Sequence, residues 1–472
     1  MRRWLLGVAA LGVFGAVGVS VVGATTTAIN WTGYLHGRVH NSYSPDTVIT
    51  PANAASLVKR WTFIPETGQP GAPGKQFTAS PTVSNGNVYI GANTGDFYAL
   101  DLATGTKLWK RFLGFQPKLT CSKRGITSTA TIANDPRTGR PTVYVAGGNG
   151  YLYALDAATG QNVWRALVGP KTPSTKVNDV YNWASPIVVD GSVYMGISSN
   201  CDHPWVRGGL ERYNQVTGAP QGTWWAVPAG SVGGGVWTSP AASGDTIYVS
   251  TASATNKTPG DTFSVASIDA KTMARIQRWQ VPVANRVVDS DWGSSPTLFY
   301  GTISGTRLHM VAACNKNGYL YAFQTNHINA GPLWQVSISA PNSSGNRACL
   351  PAPIYDGRHL FAAGPFTTIG TTAYDGAVRE IDPSSGTILW QTGLPASPIG
   401  SPSMDAGGVI AVSTWDATAG VTNGTFLLDA ANGNVLTELV SPHASVAFSQ
   451  PVFAQGYLLI GTLADGLSAY SP

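Results

Sequence analysis

Charged side chains are scarce in this sequence. Asp, Glu, Lys and Arg make up 11% of its 472 residues, against about 25% in an average soluble domain. Basic residues cluster only between Lys107 and Arg111, which disfavours a nucleic-acid-binding protein. The long runs of Ala, Glu, Lys, Leu and Arg that coiled coils and helical bundles need are absent. Intrinsic disorder is disfavoured by an aromatic content of 10% and a net charge of only +5.

Glycine, tryptophan and short β-branched runs are abundant instead. The chain has 55 glycines and 15 tryptophans, a composition that favours an all-β protein with a large core. Length alone suggests about three domains at roughly 150 residues each. An internal repeat changes that count, because repeated units build one domain together.

The first residues are typical of an export signal. Arg2 and Arg3 precede an uncharged apolar stretch over residues 4–22, which ends in a small-residue cleavage site at Ala24. The sequence therefore predicts a signal peptide over residues 1–24, cleaved near Ala24, and a secreted or periplasmic protein. An uncleaved membrane anchor is the alternative, because the stretch approaches the roughly 20 residues that span a bilayer. No membrane span is expected in the mature chain.

One sequence unit recurs along the chain. Residues 97–109 and 152–164 share the pattern Tyr-Ala-Leu-Asp-x-x-Thr-Gly-x-x-x-Trp, and weaker copies follow later. A Ser-Pro dipeptide or a remnant of it precedes each unit, at Pro81, Thr129, Pro186, Pro240, Pro296, Pro353, Pro402 and Pro451. Eight starts at a spacing of roughly 56 residues are typical of a β-propeller rather than a solenoid.

The repeat predicts an all-β fold, an eight-bladed β-propeller with four-stranded blades, because a lone four-stranded sheet cannot bury both faces. The last copy ends at Tyr470 without an outer tryptophan strand, and residues 57–63 form a spare strand. We expect that N-terminal strand to complete the last blade and close the ring. The predicted organisation is a leader segment over residues 25–56, with a short helix after Pro51, and a single propeller over residues 57–472.

The repeated Leu-Tyr-Ala-Leu-Asp-x-x-Thr-Gly-x-x-x-Trp unit resembles the tryptophan-docking repeat of pyrroloquinoline quinone (PQQ) dehydrogenases. The resemblance covers nearly all of the mature chain and includes the leader from Trp31 to Pro45. It implies the propeller fold, PQQ and Ca²⁺ as cofactors, and oxidation of an alcohol, polyol or sugar. Since non-catalytic scaffolds of the cell envelope carry the same repeat, the resemblance is weaker evidence for activity than for fold.

Three successive blades place a tryptophan just before the innermost strand, at the expected mouth of the axial channel. These are Trp183, Trp237 and Trp292, which we predict to bind the cofactor. Aromatic rings there suit a planar tricyclic quinone, because stacking gives a large contact area at low entropic cost; the alternative is that they only plug the channel. By resemblance, Trp237 is the ring on which the quinone lies, and Arg124 is the arginine that binds its carboxylates.

The resemblance also nominates catalytic and metal-binding aspartates. Asp289 and Asp291 fall where the family has the aspartate that binds calcium and acts as base, so either is the predicted catalytic group. The family's calcium-binding glutamate is absent, and Asp202 at the matching place is predicted to replace it as a metal ligand beside Asp291. The family's calcium-binding asparagine is also missing, with Asn256 the nearest candidate. These departures put the calcium-dependent mechanism in question.

Four cysteines allow three pairings. The resemblance places Cys121 and Cys201 near the channel mouth, although the second cysteine of the family's adjacent pair is missing at Cys121. Cys314 and Cys349 belong to neighbouring repeats. We therefore favour the disulfides 121–201 and 314–349 over the two alternatives.

Two functions of different classes follow. The first is an exported quinoprotein dehydrogenase that acts on a small alcohol or polyol, with an external electron acceptor because no Cys-x-x-Cys-His haem motif is present. The second is a non-catalytic PQQ-like propeller that binds a protein or another ligand in the cell envelope. Trp237, Arg124 and the two aspartates favour the enzyme, whereas the missing glutamate, asparagine and cysteine favour the scaffold.

Overall fold

The structure is a computed structural model that describes residue 1 and residues 28–116, 124–170, 179–202, 204–254, 260–341, 349–416, 423–443 and 448–472. The predicted signal peptide, Cys121 and Asn256 lie outside the described residues. Within those ranges, no helix has the length and apolar character needed to cross a membrane.

Eight separate β-sheets follow one another along the chain, which confirms the eight-bladed propeller. In blades one to four the strands, from innermost to outermost, are Thr82–Ser84, Asn87–Gly91, Asp96–Asp101 and Lys107–Phe112; Thr131–Asn134, Pro141–Ala146, Tyr151–Asp156 and Asn162–Leu167; Ile187–Val189, Ser192–Ile197, Gly209–Asn214 and Pro220–Trp225; and Ala241–Ser243, Thr246–Ser250, Ser264–Asp269 and Arg275–Gln280. In blades five to seven they are Thr297–Ile303, Thr306–Cys314, Tyr319–Gln324 and Trp334–Ser337; Ile354–Tyr355, Leu360–Ile369, Thr372–Ile381 and Ile388–Leu394; and Ser403–Asp405, Val409–Trp415, Gly424–Asp429 and Val435–Val440.

The eighth blade joins the two ends of the chain. Its strands Val452–Ala454, Tyr457–Gly461 and Leu467–Ser471 are completed by Val58–Phe63. Trp61 pairs with Ala469 in that antiparallel ladder, which confirms the predicted closure. Two short strands, Tyr43–Ser44 and Ser397–Pro398, extend blade seven, and the 3₁₀ helices are Tyr34–His36, Ala54–Ser56, Val283–Asn285 and Ile328–Ala330.

The repeat tryptophans dock each blade onto the next. Trp61 Nε1 donates a hydrogen bond to Leu102 O at 2.8 Å, and Trp109 Nε1 donates to Ala157 O at 3.0 Å. The indole of Trp61 covers Gly105, whose φ of 70° and lack of Cβ let the ring approach; a Cβ there would stand 2.6 Å from the ring. The Asp-x-x-Thr-Gly turn is therefore the docking surface for the neighbouring blade.

Hydroxyl groups tie the starts of the innermost strands to one another. In six of the eight junctions the residue before the proline position donates its N–H to the side chain at the same position of the next blade, in the pairs Ser80–Thr129, Thr129–Ser185, Ser185–Ser239, Ser239–Ser295, Ala352–Ser401 and Gln450–Ser80. This ring is the physical reason for the repeated Ser or Thr before the innermost strand, because its hydroxyl oxygen accepts a buried backbone N–H of the preceding blade.

The leader segment runs along the inner edge of the ring. Innermost strands donate N–H groups to its carbonyl oxygens, in the pairs Val83–Trp31, Ile132–Thr32, Ala242–Arg38, Leu298–Val39, Tyr355–Asn41 and Met404–Ser42. The leader therefore occupies the axial channel and visits blades one, two, four, five, six and seven. Covering these strand edges leaves the opposite end of the channel to form a site.

Candidate functional site

A cavity of about 870 Å³ opens on the axis of the propeller. Its walls come from the connections that precede innermost strands and from those between the second and third strands of blades three, four and five, all of which lie at one end of the ring. Hydroxyl groups of the inner ring, including Ser80, Thr129 and Ser185, line its base together with Tyr34 of the leader. A concave site of this size suits a cofactor or a small molecule.

Two of the three predicted mouth tryptophans line the cavity. Trp183 and Trp237 both contribute to its wall. Trp292 does not: it is fully buried, and its indole packs against Trp279 and Tyr321 at ring-centroid distances of 6.2 and 5.4 Å. The predicted position of Trp292 at the mouth is therefore corrected, because the aromatic core between blades four and five takes up its ring.

Both predicted catalytic aspartates also line the cavity, and one lysine joins them. Lys316 Nζ lies 2.7 Å from Asp289 Oδ2 and 3.2 Å from Asp291 Oδ2. The same Nζ lies 5.4 Å from the centroid of the Trp237 ring. Asp291 and Asp289 lie six and eight residues before the innermost strand of blade five. Lys316 lies in the turn that follows the second strand of the same blade.

The two aspartates differ in their surroundings. Asp291 is 6% exposed, and its Oδ1 accepts the Ser253 N–H while Oδ2 faces Lys316. Asp289 is more open to the cavity, and its Oδ2 alone faces Lys316. Burial and the charge of Asp291 raise the pKa of Asp289 to about 6. Asp289 is thus the carboxylate better suited to accept a proton near neutral pH.

Asp202 also lines the cavity. Ser199 Oγ donates to its Oδ1 at 3.1 Å, and burial together with the charge of Asp291 raises its pKa. The described residues contain no group of three or more His, Cys, Asp and Glu side chains placed to hold a metal ion. The assignment of Asp202 and Asp291 as metal ligands stays a prediction.

Arg124 contacts a tryptophan of the cavity wall but does not line the cavity itself. Its guanidinium carbon lies 5.4 Å from the centroid of the Trp183 ring, and Arg124 is not itself a lining residue. Its buried Nε has no hydrogen-bond partner within the described ranges. The predicted contact of Arg124 with a quinone carboxylate stays a prediction.

One predicted disulfide is confirmed. Cys314 and Cys349 are bonded with a Cα–Cα distance of 5.8 Å, which joins blades five and six. Cys201 lines the cavity and is also disulfide-bonded. Its predicted partner Cys121 lies outside the described residues.

Sequence reasoning missed Lys316 and Arg286, both of which line the cavity. A signal for Lys316 was present. The turn between the second and third strands reads Ala92-Asn93-Thr94-Gly95 in blade one and Asn315-Lys316-Asn317-Gly318 in blade five, so Lys316 stands where blade one has Asn93. A charged residue in a turn that the repeat keeps buried must find a partner.

Comparison with known proteins identifies the family. Residues 31–347 match the model described as the glucose/ethanol/alcohol dehydrogenase β-propeller domain, and residues 316–472 match that of the outer membrane protein assembly factor BamB. The quinohemoprotein alcohol dehydrogenase of Comamonas testosteroni is 28% identical over 194 residues, which cover 39% of this chain and 24% of that protein. The polyvinylalcohol dehydrogenase of Sphingopyxis sp. (strain 113P3) is 23% identical over 67% of this chain and 52% of its own length.

Solved structures agree on the fold. The crystal structure of the Comamonas testosteroni enzyme superposes with a TM-score of 0.71 at 18% identity, over 94% of this chain and 80% of that one. The matched segments span about a quarter of the length of the first curated relatives, 24% and 25% for two of them. Because the first family model covers well over half of the sequence, this chain belongs to the PQQ family of glucose, ethanol and alcohol dehydrogenase β-propellers.

Proposed function

We propose that this protein is a quinoprotein dehydrogenase that binds PQQ on Trp237 and oxidises a small alcohol or polyol. The observation that carries the proposal is the convergence on one cavity of the Trp237 ring, the Lys316 ammonium and the Asp289 and Asp291 carboxylates. An aromatic ring in a cavity wall beside a base with a near-neutral pKa is the combination that this chemistry needs.

The residues fit a planar anionic quinone. Trp237 offers a ring face in the cavity, and its Nε1 is buried without a partner in the described part of the chain. Lys316 Nζ lies 5.4 Å from the centroid of that ring, with its charge paired to Asp289 and Asp291. When bound, the quinone supplies the two-electron acceptor chemistry that no amino-acid side chain offers.

The chain's own residues manage the proton. Asp289 accepts the proton of the substrate hydroxyl, since its pKa of about 6 makes it mostly ionised at pH 7. Asp291 holds Lys316 in place while the Ser253 N–H fixes its own orientation. The charge of Lys316 in turn opposes the rise in the pKa of Asp289.

Ca²⁺ is retained in the proposal as a second cofactor, held by Asp202 and Asp291. Ca²⁺ takes six to eight oxygen ligands, so two carboxylates form a partial set and the other ligands would come from the quinone and water. The proposal also includes cleavage of residues 1–24 as a signal peptide, a secreted or periplasmic location, and an external electron acceptor.

Titration with PQQ tests it. We expect PQQ, with and without added Ca²⁺, to quench the intrinsic tryptophan fluorescence of the purified protein, and Trp237→Ala to remove the quench. Trp390→Ala is the matched control, because Trp390 docks between blades with Nε1 bonded to Ala430 O at 3.2 Å. An unquenched wild-type protein, or equal loss in both variants, would refute quinone binding at Trp237.

The second candidate function is a ligand-binding or protein-binding scaffold without catalysis. It is supported by the match of residues 316–472 to the assembly-factor model and by the absence of the family's calcium-binding glutamate. A protein that binds no PQQ, and that transfers no electrons from alcohols to a dye, would favour this function over the enzyme.

A further inference from the structure

Arg286 is a cation held in a fixed orientation at the wall of the cavity. It belongs to the lining residues, and its Nε donates a hydrogen bond to Val281 O at 3.0 Å. Its guanidinium carbon lies 4.1 Å from the centroid of the Phe263 ring. Stacking and one hydrogen bond therefore fix the plane of the guanidinium, which leaves the two terminal nitrogens for another partner.

Phe263 is itself held in an uncommon backbone conformation. Its φ is 53° although it is a bulky residue only 5% exposed. Its N–H donates to Ala252 O and its carbonyl oxygen accepts the Val281 N–H. Strain of this kind persists where the surroundings enforce it, often at functional sites. The ring of Phe263 and the carbonyl oxygen of Val281 thus hold the side chain of Arg286 in place.

No carboxylate neutralises this cation in the part of the chain that the structure describes. The two cations among the described lining residues are Arg286 and Lys316, and Lys316 is paired with Asp289 and Asp291. Burial lowers the pKa of Arg286, with no acidic neighbour opposing that shift. A half-buried guanidinium that lacks a protein counter-ion is suited to an anionic ligand.

We infer that Arg286 is a carboxylate-binding subsite of the cavity. Its two free terminal nitrogens match the two oxygens of a carboxylate in the bidentate arrangement that arginine favours. The carboxylate has two conceivable sources, a small hydroxy acid that occupies the cavity or the quinone itself. The inference rests on the proposed function only for the quinone source.

Calorimetric titration separates the sources. The probes are 4-hydroxybutyrate, its neutral analogue butane-1,4-diol, and PQQ, each added to wild-type protein, Arg286→Gln and Arg207→Gln. Arg207 is a matched control: its Nε donates to Val227 O at 2.9 Å and its guanidinium lies 4.3 Å from the Trp225 ring centroid, yet it does not line the cavity. Thermal melting shows whether each variant is folded.

We expect 4-hydroxybutyrate to bind more tightly than the diol, and Arg286→Gln to weaken its binding by about 10- to 100-fold while Arg207→Gln has no effect. If PQQ-loaded protein still binds 4-hydroxybutyrate, the subsite serves a hydroxy-acid substrate. If PQQ blocks that binding and Arg286→Gln weakens PQQ binding, the subsite serves the quinone.

The inference is overturned if Arg286→Gln leaves the affinities of both carboxylate probes unchanged, if Arg207→Gln weakens them equally, or if neither probe binds the wild-type protein. Failure of PQQ alone to bind would count against the proposed function. In that case 4-hydroxybutyrate still decides whether Arg286 holds a carboxylate.

Discussion

The Nζ atom of Lys316 lies 5.4 Å from the centroid of the Trp237 ring. Trp237 precedes the innermost strand of blade four, and Lys316 sits in a turn of blade five, 79 residues later by sequence number. Neither residue type is unusual alone. Their meeting with two aspartates concentrates charge on one face of a cavity whose described lining also contains many hydroxyl groups.

The first prediction concerns the stability of that cluster. Lys316→Met should lower the free energy of unfolding by about 3–5 kcal/mol, because it leaves the buried carboxylate of Asp291 and the partly buried carboxylate of Asp289 without their cation. Urea denaturation at pH 7 measures the loss. Lys271→Met is the control: its ion pair with Asp245 is exposed, so removing it should cost less than about 1 kcal/mol. Equal effects in the two variants would show that burial adds nothing to the Lys316 pairs.

The second prediction concerns the pH dependence of alcohol oxidation with added PQQ. Asp289 must be ionised to accept a proton, and its pKa is about 6. We expect kcat/KM to rise as pH increases through about 6 and then to level off, with the rise absent in Asp289→Asn. Dye-linked assays at several pH values measure the profile. A rate in Asp289→Asn equal to that of wild type would assign the base to another group.

The third prediction concerns Asp405, which is fully buried in blade seven. Its Oδ1 accepts the Val409 N–H at 3.0 Å, while Oδ2 has no partner in the described ranges. Burial, followed by the charge of Asp46, raises the pKa of Asp405 to about 8. The folded state then keeps a proton that the unfolded chain releases near pH 4, so stability should fall as pH rises from about 4 to 8.

Asp405→Asn removes that titration. The amide keeps an acceptor for Val409 and carries no charge, so the variant should equal wild type near pH 4 and exceed it by a few kcal/mol at pH 9, since each pKa unit corresponds to about 1.4 kcal/mol. Urea melts at the two pH values measure the difference. A constant difference across this range would mean that Asp405 titrates normally in the folded protein.

The fourth prediction concerns tryptophan docking between blades eight and one. Gly105→Ala places a Cβ at positive φ and 2.6 Å from the Trp61 ring. Gly86→Ala, in the same blade, meets the same backbone restriction at φ 79° but has no atom within 4 Å of its Cβ. Both should lose about 1–2 kcal/mol to the left-handed conformation, and Gly105→Ala about 1–3 kcal/mol more through overpacking. Equal losses would mean that the indole moves away without cost.

Local sequence patterns determined the ring. The Asp-x-x-Thr-Gly turn, the following tryptophan and the Ser-Pro start recur because each performs the same contact in successive blades. The missing outer strand after Tyr470 likewise pointed to the strand containing Trp61. Such features depend on neighbours at a fixed distance in sequence. Counting and aligning the repeats was therefore sufficient to predict the eight-bladed ring and its closure.

The candidate site followed from sequence only in part. Trp183, Trp237, Asp289 and Asp291 line the cavity as expected. Trp292 stands four residues before its proline, whereas Trp183 and Trp237 stand three residues before theirs, and its ring turns into a core with Trp279 and Tyr321. The extra residue before Pro296 places Gly293, which lines the cavity, at the position that Trp237 holds in blade four.

The sequence by itself therefore determined the number of blades, the closure of the ring and the family, since these are properties of a repeated local unit. Only the tertiary structure decided which side chains share the axial cavity. Lys316 pairs with two aspartates, whereas Arg286 has no carboxylate partner among the described residues, because connections from blades four and five converge on one end of the axis. Charge pairing across blades depends on distances in space, and the spacing of residues along the chain does not give those distances.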